Sequence, residues 1–206
     1  YDWSGLCSFT NITQDNIQDA VNLWVSANSS ALSTYGEINT WDVSLITDMS
    51  SLFQDKTTFN DDISSWDVSA VTNMKNMFNG ATAFNQDLNL WDVSAVTSMW
   101  GMFNGATVFN GDISSWTVSA VTNMDGMFLN ALAFNQDLNS WNVSAVQDMS
   151  FMFRYSSFNG NISSWNVATC TNFRYMFHDA SAFNQDLSDW NVSSVTNMNA
   201  MFAYAE

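Results

Sequence analysis

A column of acidic residues is the part of this sequence whose side chains could bind a metal ion. They recur once per repeat of about 25 residues, two positions after an Asn: Asp62, Asp87, Asp112, Asp137 and Asp186, with Asn161 in the fifth repeat. Carboxylates stacked about 5 Å apart repel one another by about 1 kcal/mol, and bound Ca²⁺ would relieve this repulsion. The alternative, which we favour, is that each carboxylate accepts a backbone N–H in its own turn. Calcium is the one cofactor that the sequence suggests.

Aromatic residues that break the repeat pattern are the candidate contact residues. They stand where other repeats carry Ser, Gly, Asn or Ala, and they are Trp100, Phe151, Tyr155, Tyr175 and Tyr204. Aromatic side chains of this kind are typical of binding hot spots, although Trp100 could equally fill a gap. The single histidine, His178, has no Ser or Cys nucleophile in a recognisable motif, and no phosphate-binding Gly loop is present. We therefore expect no enzyme activity.

These residues are positioned by an internal repeat that begins at a Trp. The anchors are spaced 25, 25, 25, 25, 24 and 25 residues apart: Trp41, Trp66, Trp91, Trp116, Trp141, Trp165 and Trp190. We number the repeats 1 to 7 and count each anchor as position 1. Position 3 is Val throughout, positions 9 and 12 hold all 12 Met residues, and two Phe columns follow. A period in this range indicates stacked repeats that share one apolar core.

The predicted fold is an α/β solenoid, a leucine-rich-repeat-like coil. Positions 6, 9, 12, 13 and 16 have helical spacing, which predicts one short α or 3₁₀ turn per repeat. The segment F-N-x-D-I/L-x-x-W-x-V predicts one short parallel strand. Within this segment the repeats alternate between two forms, one with Gln and Leu and the other with Gly or Asp and Ile. The true period is therefore two repeats. We attribute this period first to duplication of a pair of repeats.

The chain is predicted to have two parts, an N-terminal cap over 1–40 and a solenoid over 41–206. Thr13 is expected to begin a helix that runs to about Asn28, with an apolar side formed by Ile17, Ala20, Val21, Trp24 and Val25. The solenoid has six full repeats and a seventh that stops at Glu206, inside a repeat. An open last turn would offer unpaired backbone groups to whatever follows.

Composition bears on partners and location. The net charge of −16 argues against nucleic acid and anionic membranes as partners, and no apolar run is long enough for a transmembrane segment. Five N-x-S/T sequons, at Asn11, Asn28, Asn142, Asn161 and Asn191, fit a secreted glycoprotein whose signal peptide has been removed. Cys170 stands at a core Val position, and we expect no disulfide between it and Cys7.

The motif FNQDLSxWDVSxVTxMxxMF is clearest at Phe134–Phe153 and Phe183–Phe202. Over residues 41–206 the chain resembles the BspA-like surface proteins, a divergent leucine-rich-repeat group. The resemblance implies an extracellular or cell-surface protein with an adhesive or coat role and no enzyme activity. The use of Met, Phe and Trp in place of Leu leaves the curvature of the coil open.

Three functions are compatible with these features. The leading hypothesis is a non-enzymatic extracellular or cell-surface repeat protein that acts as a structural or adhesive module. One alternative is a subunit of a filament or coat, self-associating through the open C-terminal turn. The other is a carbohydrate- or protein-recognition module that uses the out-of-pattern aromatic residues.

Overall fold

The computed structural model describes residues 9–205, and helices occur only at the start of this part. Helix α1 spans Ile17–Ser26, helix α2 spans Asn28–Tyr35, and a 3₁₀ helix spans Ile38–Thr40. Within the described residues the repeats contain no β-strand and no helix. The predicted α/β solenoid, with one strand and one helical turn per repeat, is therefore wrong. No helix in this part of the chain has the length and apolar character needed to cross a bilayer.

The repeats are held together by backbone hydrogen bonds between equivalent turns. Alternate N–H groups in positions 9 to 15 donate to carbonyls of the next repeat, as Asn76 does to Trp100 O at 2.8 Å and Phe78 to Met102 O at 2.8 Å. The N–H groups between them donate three residues back within the same repeat. A single parallel bridge joins each pair of neighbours, beginning with Asp48 and Asn73. The result is a stack of repeats joined by a ladder one bridge wide.

Left-handed backbone explains why the helically spaced segment is not helical. Positions 11 and 15 have φ between +51° and +70° in all seven repeats: Ser51, Asp55, Asn76, Gly80, Gly101, Gly105, Gly126, Asn130, Phe151, Tyr155, Tyr175, Asp179, Ala200 and Tyr204. A left-handed residue ends a right-handed turn, so each turn is broken before a second can form. The broken turns free the alternate N–H groups to bond with the next repeat.

Asparagine side chains explain why the extended segment is not a strand. The Asn60 side-chain oxygen accepts the backbone N–H of Asn85 at 2.8 Å, and Asn85 accepts that of Asn110 at 2.7 Å. The same contact continues through Asn135 and Asn159 to Asn184. The Asn side-chain oxygen thus accepts a backbone N–H that, in a β-ladder, would donate to a backbone carbonyl of the neighbouring strand.

The two-repeat period has a packing cause. Gln86 donates from Nε2 to the backbone oxygen of Asn60 at 2.7 Å, and Gln136 does the same to Asn110 at 2.7 Å. At the equivalent position of the following repeat, a Cβ on Gly111 would lie 2.2 Å from Gln86 O. The backbone of the Gln-containing repeat lies so close to this position of the next repeat that only Gly fits there. A repeat with Gln is therefore followed by a repeat with Gly.

The predicted apolar columns form one continuous core. The Trp anchors and the Val, Met and Phe columns are buried through repeats 1 to 6, except that Phe183 of repeat 6 is partly buried. Phe rings of neighbouring repeats stack with centroids 5.2 Å apart for Phe53 and Phe78, and 5.7 Å for Phe103 and Phe128. From Trp66 on, each anchor indole N–H donates to a backbone oxygen 27 or 28 residues earlier, as Trp116 Nε1 does to Leu88 O at 2.8 Å. Burial of these rings together is what a single repeat could not achieve alone.

The N-terminal helix is shorter than predicted and packs on repeat 1. It begins at Ile17, because Thr13 lies in a turn closed by its backbone N–H donating to the side chain of Asn16 at 2.8 Å. Its predicted apolar side is buried at Ile17, Ala20, Val21 and Trp24, while Val25 is partly buried. Trp24 Nε1 donates to the Asp61 carboxylate at 2.9 Å. Asp61 holds this contact at the place where later repeats alternate Gln and Gly.

Candidate functional site

In the acidic column four of the five carboxylates accept backbone N–H groups in their own turns, as we favoured, whereas Asp87 accepts one from the next repeat. Asp62, Asp112, Asp137 and Asp186 each accept the N–H two residues ahead at 2.8–2.9 Å, while Asp87 accepts that of Asp112 at 2.8 Å. The Ser64 N–H lowers the pKa of Asp62, and the Ser188 N–H lowers that of Asp186. Within residues 9–205 no three His, Cys, Asp or Glu side chains are grouped to hold a metal ion. Calcium binding stays a prediction that only titration will test.

No sequon Asn and no described Cys is among the ring contacts of the out-of-pattern aromatic residues. Asn11, Asn28, Asn142 and Asn191 are exposed, whereas Asn161 is partly buried and accepts the Ser163 N–H at 3.0 Å. Cys170 is a buried free thiol whose pKa is raised to about 11 by burial, and Cys7 lies outside the described residues. Neither feature contributes to the aromatic surface.

Four of the five out-of-pattern aromatic residues occupy left-handed positions. Phe151 and Tyr175 stand at position 11, and Tyr155 and Tyr204 at position 15, with φ between +56° and +60°. Other repeats place Gly, Asn, Asp, Ser or Ala there. A bulky residue with positive φ is an outlier, and holding it costs on the order of 1–3 kcal/mol. These rings are therefore kept at positions where the fold itself prefers Gly or Asn.

The rings form one cluster with two arginines. We call it the aromatic patch and define it as Phe151, Arg154, Tyr155, Arg174, Tyr175, His178 and Tyr204. Phe151 and Tyr175 stack at 5.3 Å, and the Arg174 guanidinium lies 5.0 Å from the Tyr175 ring. Arg154 lies 4.4 Å from the Tyr155 ring and donates to its hydroxyl at 2.7 Å. Cation–π stacking therefore fixes both arginines on the surface of repeats 5 and 6.

The histidine is part of this patch and is enclosed by it. The His178 ring contacts the rings of Tyr155, Tyr175 and Tyr204 at 5.0–5.7 Å. His178 Nδ1 is 2.7 Å from the Asp179 carboxylate, but the two neighbours lack hydrogen-bond geometry and Nδ1 has no hydrogen-bond partner. We therefore describe the His178–Asp179 contact as a close approach of the two side chains and not as a hydrogen bond. The contacts of His178 are thus tyrosine rings and one carboxylate.

Trp100 belongs to a neighbouring surface on repeats 2 to 5. It stands at position 10, it is 37% exposed, and Lys75 Nζ lies 3.8 Å from its ring centroid. Beside it, burial and the nearby Asp148 raise the pKa of Asp125 to about 6. Trp100, Asp125, Phe151 and Arg154 line one surface pocket of about 330 Å³. Trp100 therefore lines a pocket while partly exposed, and its role as a contact residue stays a prediction.

The sequence patterns missed the polar members of this surface. Lys75, Arg154 and Arg174 are three of the four Lys and Arg residues in the chain, and all three stack on its rings. Asp125 interrupts a column of otherwise neutral or basic residues. One signal in the sequence could have revealed this surface. Gly, Asn and Asp are frequent at positions 11 and 15, which indicates left-handed backbone there. That backbone places positions 10, 11, 14 and 15 on one turn.

A family comparison accounts for the repeats. The family model described as "Mycoplasma protein of unknown function, DUF285" matches residues 21–140, 90–157 and 133–206. The chain belongs to this family. No curated protein and no solved structure matches the DUF285 chain. The three overlapping matches identify the chain as a repeat protein of a family whose function is unknown. They do not identify it as a BspA-like surface protein, and that finer assignment is part of the proposal below.

Proposed function

We propose that this DUF285 chain is a non-enzymatic recognition protein of the cell exterior. In this proposal the stack of repeats is a rigid support, and the aromatic patch binds a partner protein whose contact surface carries carboxylates. The observation that carries it is the placement of four aromatic residues at left-handed positions. Strain kept at a surface where the fold has unstrained alternatives is a reason to infer function there.

The composition of the patch supports a protein partner. Tyr and Arg are the residue types that dominate binding energy at protein interfaces, together with Trp. Tyr155 is 38% exposed and Tyr204 is 72% exposed, so their rings are available to a partner. The rings and guanidinium groups also hold one another in place, which lowers the entropy lost when a partner binds.

The charge of the patch supports an acidic partner. The chain as a whole has a net charge of −16, while the patch has two arginines against the neighbouring Asp179. Arg174 is exposed and offers its planar guanidinium group to a carboxylate. An acidic partner would be repelled by most of this chain and attracted here, so the charge distribution selects the binding orientation.

Contacts of the one histidine support a role without catalysis. Its ring lies among three tyrosines beside a carboxylate, and no Ser, Thr or Cys is among these contacts. The exterior location rests on the exposed sequons and on the BspA-like resemblance. Antibody labelling of intact, unpermeabilised source cells tests it, and labelling only after permeabilisation would contradict it.

A peptide selection tests the recognition proposal. The matched variant combines Tyr155→Asn, Tyr175→Gly and Tyr204→Asn, and we call it the triple variant. Each replacement is a residue type that another repeat carries at the same left-handed position. A phage-displayed random peptide library is depleted on the triple variant and then selected on the wild-type chain.

We expect enriched peptides to be acidic and to bind the triple variant about 30-fold more weakly, as the loss of a 2 kcal/mol hot spot requires. Their binding should also weaken as salt is raised. Leu90→Ser is the control, because Leu90 is 81% exposed and several repeats carry Ser at its position. Selection of no peptide, or of peptides that are not acidic, would refute the proposal.

A further inference from the structure

The pocket beside the aromatic patch lies where two successive repeats, 3 and 4, have Gly at position 11. Trp100 of repeat 3 lines it, Phe151 and Arg154 of repeat 5 line it from the other direction, and Gly126 of repeat 4 lies between them in the stack. A Cβ placed on Gly126 would meet only the Leu129 side chain, at 3.8 Å. The volume of about 330 Å³ is at the lower end of the range for small-ligand sites.

The polar side chains of Asn104, Asp125 and Arg154 line this pocket. Arg154 Nε is buried and has no hydrogen-bond partner, which costs about 1–3 kcal/mol for a buried donor. Asp125 is partly buried, and its carboxylate has the Ser150 and Trp100 side chains as hydrogen-bonding neighbours. The Asn104 amide also lines the pocket and is not used as a side-chain donor or acceptor in that part of the chain. The pocket is thus lined by a carboxylate, a guanidinium group and an amide that can both donate and accept.

Charge narrows the class of ligand. A cationic ligand would meet Arg154, and Lys75 above the Trp100 ring. An anionic ligand would meet Asp125 and the nearby Asp148. A neutral ligand avoids both repulsions, and it needs groups that donate and accept together, because the pocket presents both kinds of partner. Hydroxyl groups have this property.

The aromatic members add an apolar requirement. Trp100 is 37% exposed, with Lys75 Nζ over one face of its ring, and its indole lines the pocket together with the ring of Phe151. A molecule that fits has a ring with an apolar C–H face and hydroxyl groups around its edge. We propose that this pocket binds a neutral saccharide through Trp100, Asn104, Asp125 and Arg154. The site is a second one, beyond the protein-binding patch, and shares only Phe151 and Arg154 with it.

Two variants remove the site while keeping residue types found in the same columns. Trp100→Ser removes the ring, and Ser occupies position 10 at Ser50 and Ser150. Gly126→Asn fills the pocket, and Asn is tolerated at this left-handed position in repeat 2, where Asn76 has φ of +55°. Leu90→Ser is the control for loss of an exposed apolar side chain. Thermal unfolding of each variant checks that it is folded.

The wild-type chain and the variants are applied to an array of neutral and acidic oligosaccharides, and the strongest neutral one is then titrated in solution. We expect the wild type and Leu90→Ser to bind equally, and Trp100→Ser and Gly126→Asn to bind at least 10-fold more weakly. No binding of any neutral oligosaccharide to the wild type, or binding kept by both folded pocket variants, would overturn the proposal. So would binding of acidic oligosaccharides alone.

The two proposals fail separately. Trp100→Ser changes no residue of the aromatic patch, so it should bind the acidic peptides as the wild type does. If saccharide binding is absent while acidic peptides still distinguish the triple variant, only the pocket proposal is wrong. The converse result removes only the protein-binding proposal.

Discussion

Replacing Tyr155 by Gly and by Ala separates backbone strain from loss of the ring. Both changes remove the same contacts with Arg154 and His178. They differ in the backbone, because Tyr155 has φ of +58°, which Gly adopts without steric cost and Ala does not. The same pair of changes at Trp100 is the control, since Trp100 is not among the residues with positive φ.

The expected magnitude follows from two opposing terms. Left-handed backbone costs an L-residue about 1–2 kcal/mol, and Gly at an ordinary position is about 0.5–1 kcal/mol less stable than Ala through its greater unfolded-state entropy. At Tyr155 the first term exceeds the second, so the Gly variant should be the more stable by about 0.5–1 kcal/mol. At Trp100 only the second term acts, so the Ala variant should be the more stable.

Thermal unfolding followed by fluorescence of the buried tryptophans measures both pairs. A difference of 1 kcal/mol corresponds to about 2–4 °C in a chain of this size. We therefore expect the Gly variant to have the higher melting temperature at Tyr155 and the Ala variant to have the higher one at Trp100. The Gly-minus-Ala difference in melting temperature should change by about 3–6 °C between the two positions. If Tyr155→Ala is as stable as Tyr155→Gly, the aromatic patch is not strained and its functional interpretation loses its basis.

Three further predictions concern charge, packing and metal. The pKa of Asp125 is raised to about 6, which means that folding disfavours its ionised form. The ionised carboxylate therefore destabilises the folded protein above pH 6, whereas below pH 4 the group is protonated and this cost is absent. Asp125→Asn should therefore stabilise the chain by about 1 kcal/mol at pH 7.5 after allowance for partial exposure, and this gain should disappear in unfolding measured at pH 4; a gain at both pH values would contradict it. Phe103 is fully buried whereas Phe202 is 48% exposed, so denaturant unfolding should show a cost of about 3–5 kcal/mol for Phe103→Ala and a much smaller one for Phe202→Ala, and equal costs would refute the packing described. A chelator should leave the melting temperature unchanged, because backbone N–H groups already satisfy the acidic column, and a fall would indicate structural calcium.

The repeat pattern predicted the core, because side-chain burial follows directly from periodicity. Each Trp anchor, Val column and Phe column identified in the sequence is buried in repeats 1 to 6, apart from Phe183, which is partly buried. The buried side of α1 was likewise predicted from helical spacing. Its end at Ser26 was not, since the break at Ala27 is not marked by Gly or Pro.

The predicted secondary structure was wrong for two local reasons. A segment with three-residue hydrogen bonds has the same apolar spacing as a helix, and only the Gly and Asn residues at positions 11 and 15 distinguish the two. The extended segment has the apolar pattern of a strand, but the side chain of Asn60 and its equivalents accept the backbone N–H groups. Periodicity reports which side chains are buried, and it does not report which atom satisfies each backbone donor.

The candidate surface was only partly predictable. The aromatic residues were identifiable as departures from the repeat, since each stands in a column of small or polar residues. Their association with Lys75, Arg154 and Arg174 depends on neighbouring repeats lying side by side, which the sequence does not specify in detail. The unpartnered Arg154 Nε and the raised pKa of Asp125 result from burial and became visible only in three dimensions.

Calorimetric titration of a selected acidic peptide into the wild-type chain and the triple variant tests the recognition proposal most directly. Melting temperatures of the same preparations show whether both proteins are folded. The proposal predicts about 30-fold weaker binding to the triple variant with little change in melting temperature, because relief of backbone strain offsets the lost ring contacts. Equal affinity for two folded proteins would contradict it, since the patch would then not be the binding surface.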